Sequence, residues 1–266
     1  MNKADGRFLK WVAIVVGVLC ALLVLPQTLR LTGHEADLLH VLDLSYRLAE
    51  GHHPHVDYPT PIGILAYAPI SWLLQVGTSP GQAILTAFWG ALLVSLPFVL
   101  WASLSRLEGA ARWVFAMFCL VMMGSLVHGG DDPSVSISMY YNRWGWTLAF
   151  ALWILLFLPA REGYRSPSTD GVILGLGFAA LVLIKVSFAV GLVLPMLVYI
   201  AQHRPQRALT VALVCGVIVL GVVTTVFGFG LWVGYVSDLL LVSSSAERSY
   251  PSAIFTDVLA MPRYLP

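Results

Sequence analysis

Apolar runs close to 20 residues long recur along the chain, separated by short stretches rich in Gly, Pro and charge, which is the pattern of helices that cross a bilayer. The first run, Phe8 to Leu31, follows Lys3, Arg7 and Lys10 and has no small-x-small cleavage site. It therefore reads as an uncleaved signal anchor entering from the cytoplasm. A polar segment follows, Gly33 to Tyr67, with the sequence GHEADLLHVLDLSYRLAEGHHPHVDYPTPIGILAY. Leu38, Leu39, Val41, Leu42, Leu44, Tyr46, Leu48 and Ala49 recur in it at near-helical spacing. That predicts an amphipathic helix on the membrane surface, ended by Gly51 and then broken by Pro54, Pro59 and Pro61.

Ile62 to Val76 is apolar but short for a span and contains Pro69. Gln82 to Leu104 is a full-length helix that ends at Arg106 and Arg112, a pair best placed in the cytoplasm. An outside loop and an inside Arg pair require an odd number of crossings, so Ile62 to Val76 is expected to be juxtamembrane or re-entrant. The alternative is two ordinary spans with both arginines outside. Trp113 to Val127 then returns outward, and Trp144 to Leu158 goes in again, ending at Arg161 and Arg165. Gly171 to Ala201 is too long for one comfortable span and carries Lys185 at its middle. As one helix it would hold that lysine at the bilayer centre at a cost of about 2.5 to 3.5 kcal/mol. As two short helices it places Lys185 near the outer turn and brings Arg204 and Arg207 back to the cytoplasm, and this arrangement is preferred. Ala208 to Trp232 makes the last outward helix.

The expected fold is thus all-α, a polytopic transmembrane bundle of about seven spans with juxtamembrane helices in its first external loop. It forms one membrane domain over residues 1–266: helix one at 8–31, an external loop at 33–77, further spans within 80–232, and the start of another external loop at 233–266. The predicted location is the inner (plasma) membrane, with the N-terminus cytoplasmic and the first loop outside.

Composition agrees with that pattern, at 58% hydrophobic and 11% charged residues, less than half the charge of an average soluble domain. The basic residues occur in ones and twos without forming a stripe, which argues against a nucleic-acid partner. Cys20, Cys119 and Cys215 lie singly inside apolar runs and read as small core residues.

The chain's chemistry is concentrated in the Gly33–Tyr67 segment, which gathers five carboxylates and five histidines at one membrane face. A plain solvated loop is the competing explanation. The triplet His52, His53, His55 sits in a Gly/Pro-flanked turn without a clear fourth ligand, so no metal site is assigned. Tyr140, Tyr141, Trp144 and Trp146 read most simply as an interfacial aromatic belt.

Running from Asp37 through a short helix to Gly51, Pro54, Asp57, Tyr58 and Pro61, this segment resembles the first external loop of C-type (GT-C) glycosyltransferases, including protein O-mannosyltransferases and lipid A aminoarabinose transferases. The set Gly171, Gly175, Gly177, Lys185, Phe188 and Pro195 is similar to a Gly-Gly-Lys segment of that family. Asp131, Asp132 and Pro133 stand where it often has an acidic-proline motif. The resemblance implies a seven-span N-terminal module that transfers a sugar from a polyprenyl-phosphate donor in the membrane to an extracytoplasmic acceptor. It implies no required cofactor, with a divalent ion held by Asp37 and Asp57 as an alternative.

Carried over, Asp37 is the general base that takes the acceptor's proton, and Asp57 joins it at an acidic position seen in related loops. Lys185 and Arg143 are candidates to meet the leaving lipid phosphate, with Glu35 and Tyr58 completing the substrate side. Each residue keeps a plainer role: Lys185 snorkels, Arg143 anchors the loop to headgroups, and Asp57 forms a turn beside proline. The chain departs from the family in having Leu38 where many members have Glu, Gln82 where mannosyltransferases have Arg, and no helices after the seventh. It is therefore expected to be an N-terminal module, a truncated product or a half that needs a partner subunit. A transporter or lipid-handling protein, and an inactive fragment of a longer enzyme, are the competing functions.

Overall fold

A computed structural model of the chain describes residues 3–24, 30–31, 35–128, 134–136, 139–203 and 205–244. These residues are mainly helical. The helices are α1 (Lys3–Val24), α2 (Glu35–Ala49), α3 (Ala68–Gln75), α4 (Pro80–Arg106), α5 (Gly109–Gly124), α6 (Tyr140–Phe157), α7 (Pro167–Ile184), α8 (Val186–His203), α9 (Gln206–Phe227) and α10 (Gly230–Ser244). A small sheet of β1 (Arg30–Leu31), β2 (Val127–His128) and β3 (Ser134–Ser136) departs from a purely helical expectation. In it β3 pairs parallel with β1 and antiparallel with β2. Four helices, α4, α7, α8 and α9, are long and apolar enough to cross a membrane. Helix one is described over Lys3–Val24, and Arg30–Leu31, expected at its far end, form strand β1. Where the sequence predicts a loop from Val233, α10 continues to Ser244. The acidic-proline motif at Asp131 to Pro133 lies outside the described residues, as do Arg204 and everything after Ser244.

Polar side chains identify one end of the bundle. Asp5 near the start of α1 accepts from Arg112 Nη1 of α5 at 2.5 Å and from Tyr164 at 2.6 Å. Arg106 at the end of α4 pairs with Asp170 at the start of α7 at 2.7 Å, and Arg161, just after α6, bridges to Glu108 at 2.6 Å. Buried charges persist only when paired, so these contacts tie the ends of α1, α4, α5, α6 and α7 together. We call this the Asp5 end.

The segment from Ile62 to Val76 stays at the opposite end. Its only α-helix, α3, has eight residues, about 12 Å at 1.5 Å per residue and well short of a hydrocarbon core. Gln75 near its end donates to the Ala49 carbonyl of α2 (3.2 Å), so α3 remains beside the surface helix that precedes it. Of the apolar residues expected to line one face of α2, Leu38, Val41, Leu44 and Leu48 are buried, with Ser45 beside them, while Leu39 and Tyr46 are exposed.

The most extensive helix pair is α7 with α9. It is built on small residues: a Cβ on Gly171 would lie 2.5 Å from the Ala208 carbonyl oxygen, and one on Gly175 would lie 2.2 Å from that of Ala212. Glycines and alanines four apart let two helix backbones touch, which is how apolar helices associate without a hydrophobic driving force. The glycines that carry part of the family resemblance thus have a packing role. Gly175→Leu is expected to push α9 off α7 and lower thermal stability in detergent by about 2 kcal/mol or more, within the range for overpacking. An unchanged melting temperature would show that the helices can separate without cost. The outward faces of α8 and α9 remain apolar, with Leu194, Leu197, Leu213 and Ile218 exposed, as lipid-facing helices require.

Candidate functional site

The 171–201 apolar stretch is split at Lys185. This residue has extended backbone (φ −167°, ψ 115°) between the last turn of α7 and the first of α8. Three elements converge on the break. Gly63 of the proline-rich loop donates its N–H to the Ile184 carbonyl (2.9 Å), an approach so close that a Cβ on Gly63 would lie 2.2 Å from the Leu183 oxygen. Tyr235 of α10 accepts from the Val186 N–H (3.2 Å) and donates to the Val182 carbonyl (3.3 Å). From the start of α6, Asn142 accepts a hydrogen bond from Lys185 Nζ at 3.3 Å, and the ammonium lies 5.7 Å from the Tyr141 ring centroid. These contacts satisfy the backbone groups that a helix break frees, which apolar surroundings demand.

Arg143 follows Asn142 on the same turn. It is half-buried, donates through Nη1 to the Ser125 carbonyl and lies 5.6 Å from the Phe88 ring. Its Nη2 is buried without a protein acceptor among the described residues. Arg143 thus follows directly on Asn142, the residue that accepts from Lys185 across 43 positions of sequence. Asp37 is half-buried in the first turn of α2, with Glu35 exposed beside it. A carboxylate in the first helical turn is favoured by the unpaired N–H groups there.

Asp57 and Tyr58 take structural partners. The Asp57 carboxylate accepts the His53 backbone N–H at 2.6 Å across its own turn, the turn-forming role open to an aspartate beside proline. Tyr58 is buried, 3.4 Å from the Tyr67 hydroxyl and under Arg47 at 5.9 Å, and burial holds its phenol above the usual range. Tyr67, also deeply buried, is shifted in the same direction for the same reason.

One further constellation was not found by sequence reasoning. His55 is buried in the left-handed region (φ 61°), stacked on Tyr235 at 4.4 Å, with Nδ1 2.7 Å from Asp238 Oδ2. The same carboxylate oxygen accepts the Thr60 N–H at 2.9 Å, and Gly234 lies against the His55 backbone, where a Cβ would be 1.9 Å from the carbonyl oxygen. Helix α10 thereby clamps the proline-rich loop against the Lys185 break. Burial holds the His55 imidazole below the usual histidine range against the opposing pull of Asp238, and because a carboxylate oxygen accepts, Nδ1–H is the donor in this contact. The lone acidic residue in an otherwise apolar stretch, Asp238, was the available signal, but its partner lies 183 residues away.

The three neighbouring histidines do not converge. His52 is exposed, 4.0 Å from Glu50 and 3.9 Å from Asp57, while His55 turns inward. Among the described residues no three His, Cys, Asp or Glu side chains are grouped to hold a metal ion.

This build, long apolar helices packed through small residues with polar groups gathered at their ends, defines a polytopic helical membrane protein. Comparison with protein-family models, with curated proteins and with solved structures gives no match.

Proposed function

We propose that the protein is a membrane glycosyltransferase module of the GT-C kind, taking a sugar from a polyprenyl-phosphate donor and passing it to an acceptor on the membrane face away from the N-terminus. The observation that carries this reading is the junction at Lys185, where a cation stands at a break between two apolar helices, held by Asn142 beside the half-buried Arg143. Two cations at the end of a bundle suit a lipid phosphate whose negative charge grows as the sugar departs. In this reading seven helices, α1 and α4 to α9, cross the inner membrane with their Asp5 ends in the cytoplasm. The Arg-rich turns at that end agree with the positive-inside rule. Asp37, at the opposite end, is the base for the acceptor hydroxyl, and Glu35 flanks the acceptor's entry. Asp57 and Tyr58 support the loop through their own contacts.

The test is sugar transfer by the full chain in vesicles loaded with a polyprenyl-phosphate sugar. Asp37→Asn is expected to lower turnover by about 10²- to 10⁴-fold, the usual worth of a positioned general base, with the fold retained by thermal melting. Wild-type turnover in that variant would remove Asp37 from the mechanism. A second reading draws on the same break, since carriers bind solutes where a helix is interrupted. It is favoured if the vesicles take up solute and form no glycosylated product.

A further inference from the structure

The Asp5 end contains a cavity of about 610 Å³ between the end of α6, the start of α7, the end of α8 and the start of α9. We propose that it binds a phosphate-bearing anion, supplied either by a phospholipid headgroup or by a soluble phosphate ester. The cavity is well separated from the Lys185 junction, at the other end of α7, and the inference does not depend on the glycosyltransferase reading.

Charge is the first argument. Arg106, Arg165 and Arg207 line the cavity together with His203, and Asp170 is the one carboxylate among its described lining residues. Both oxygens of Asp170 are already engaged, Oδ2 by Arg106 at 2.7 Å and Oδ1 by the Trp101 indole at 2.7 Å. No carboxylate oxygen of the cavity is left for Arg165 or Arg207, and neither forms an ion pair among the described residues. Three guanidiniums against one carboxylate leave two positive charges uncompensated in a concave site, where low-dielectric walls strengthen the field.

Arg106 supplies an independent argument. Its side chain is 3% exposed, yet Nε and Nη1 have no acceptor among the described residues. A buried guanidinium with one carboxylate contact is paired in charge but incompletely hydrogen-bonded, and an oxyanion in the cavity that Arg106 lines would offer the missing acceptors. The start of α9 adds donors: its N-cap is Pro205, whose side chain offers no hydrogen bond, so the first-turn N–H groups beside the cavity are not capped. The remaining wall is apolar, running from Leu155 to Leu158. Arginine fits the phosphate geometry through its planar fork, and an apolar wall suits the carbon skeleton attached to it.

The full chain, purified in an uncharged detergent, would be titrated with phosphatidylglycerol, phosphatidylcholine and inorganic phosphate and followed by native mass spectrometry. The Arg165→Gln, Arg207→Gln double variant would be titrated beside it. Both side chains are exposed, so the double variant should melt with the wild type. Arg47→Gln, an exposed arginine paired with Asp43 on α2, serves as the control. Phosphatidylglycerol is expected to bind the double variant about tenfold or more weakly than the wild type, from two lost charge-assisted contacts, with Arg47→Gln unchanged. If inorganic phosphate displaces the lipid from the wild type, the natural source is a soluble phosphate; if it does not, the source is the headgroup. Equal retention of phosphatidylglycerol by the wild type and the double variant, or no preference for it over zwitterionic phosphatidylcholine, would overturn the proposal.

Discussion

Asp170→Leu is expected to destabilise the fold by about 3 to 5 kcal/mol, the cost of breaking a buried ion pair from one side. The Asp170 side chain is 9% exposed and Arg106 only 3%. Without the carboxylate the guanidinium keeps a full charge and, among the described residues, no partner for Nη2, in addition to Nε and Nη1, which already lack one there. The Trp101 indole loses its acceptor at the same time. Thermal or denaturant unfolding in detergent would read the loss, and a midpoint matching the wild type would mean that water or lipid reaches this pair freely. Adding Arg106→Met to Asp170→Leu should recover most of the stability, because an apolar pair of similar volume removes the uncompensated charge. Recovery would identify the single-variant effect as electrostatic; its absence would assign it to packing.

Asp238→Leu should release the proline-rich loop from α10 and from the Lys185 break. It removes the acceptor of both His55 and Thr60, at about 1 to 3 kcal/mol for each buried donor left unpaired. Hydrogen exchange locates the effect: the Thr60 and Gly63 amides, bonded in the wild type to Asp238 and Ile184, should exchange faster, while those in the middle of α4 should not. Uniform exchange rates in the two proteins would show that the clamp does not hold the loop. The same amides should respond to pH in the wild type. Because burial lowers the His55 pKa, the released loop binds a proton more readily than the docked loop. Docking is therefore strongest above about pH 6.5, the ordinary value for histidine, and weakens as pH falls below it. His55→Phe, which keeps the ring stack on Tyr235 but cannot titrate, should abolish that dependence at a constant cost from its lost hydrogen bond.

Much of the framework was legible along the chain. The surface helix at Glu35–Ala49 shows in the spacing of Leu38, Val41, Leu44 and Leu48, all of which are buried. The division of the 171–201 stretch at Lys185 follows from run length and from where a lysine can sit in an apolar environment. Arg106, Arg112 and Arg161 were placed at a common end from the positions of charge alone, and Asp5 and Asp170 hold them there. The anionic partners of those arginines were not foreseen. Asp5 reads as part of a charged N-terminus and Asp170 as a helix start, and each becomes a buried counter-ion only after the helices pack.

The candidate site divides along the same line. Lys185 and Arg143 could be selected singly as costly charges at the edges of apolar runs, but the Lys185 bond to Asn142, the neighbour of Arg143, needed the turn of α6 to meet the α7–α8 break. His55 and Asp238 could not be paired in advance, and the left-handed backbone that turns His55 inward is imposed by packing against Gly234.

By itself, then, the sequence determined the helical, membrane-type build and the common end of the bundle at which Arg106, Arg112 and Arg161 lie. Run length and charge at the run ends act locally, on each segment separately. Tertiary structure alone decided which charges neutralise one another, which glycines carry the α7–α9 contact, and that α10 closes over the proline-rich loop. Those outcomes depend on contacts between residues as far as 183 positions apart, whose hydrogen bonds and close approaches exist only once the intervening helices have packed.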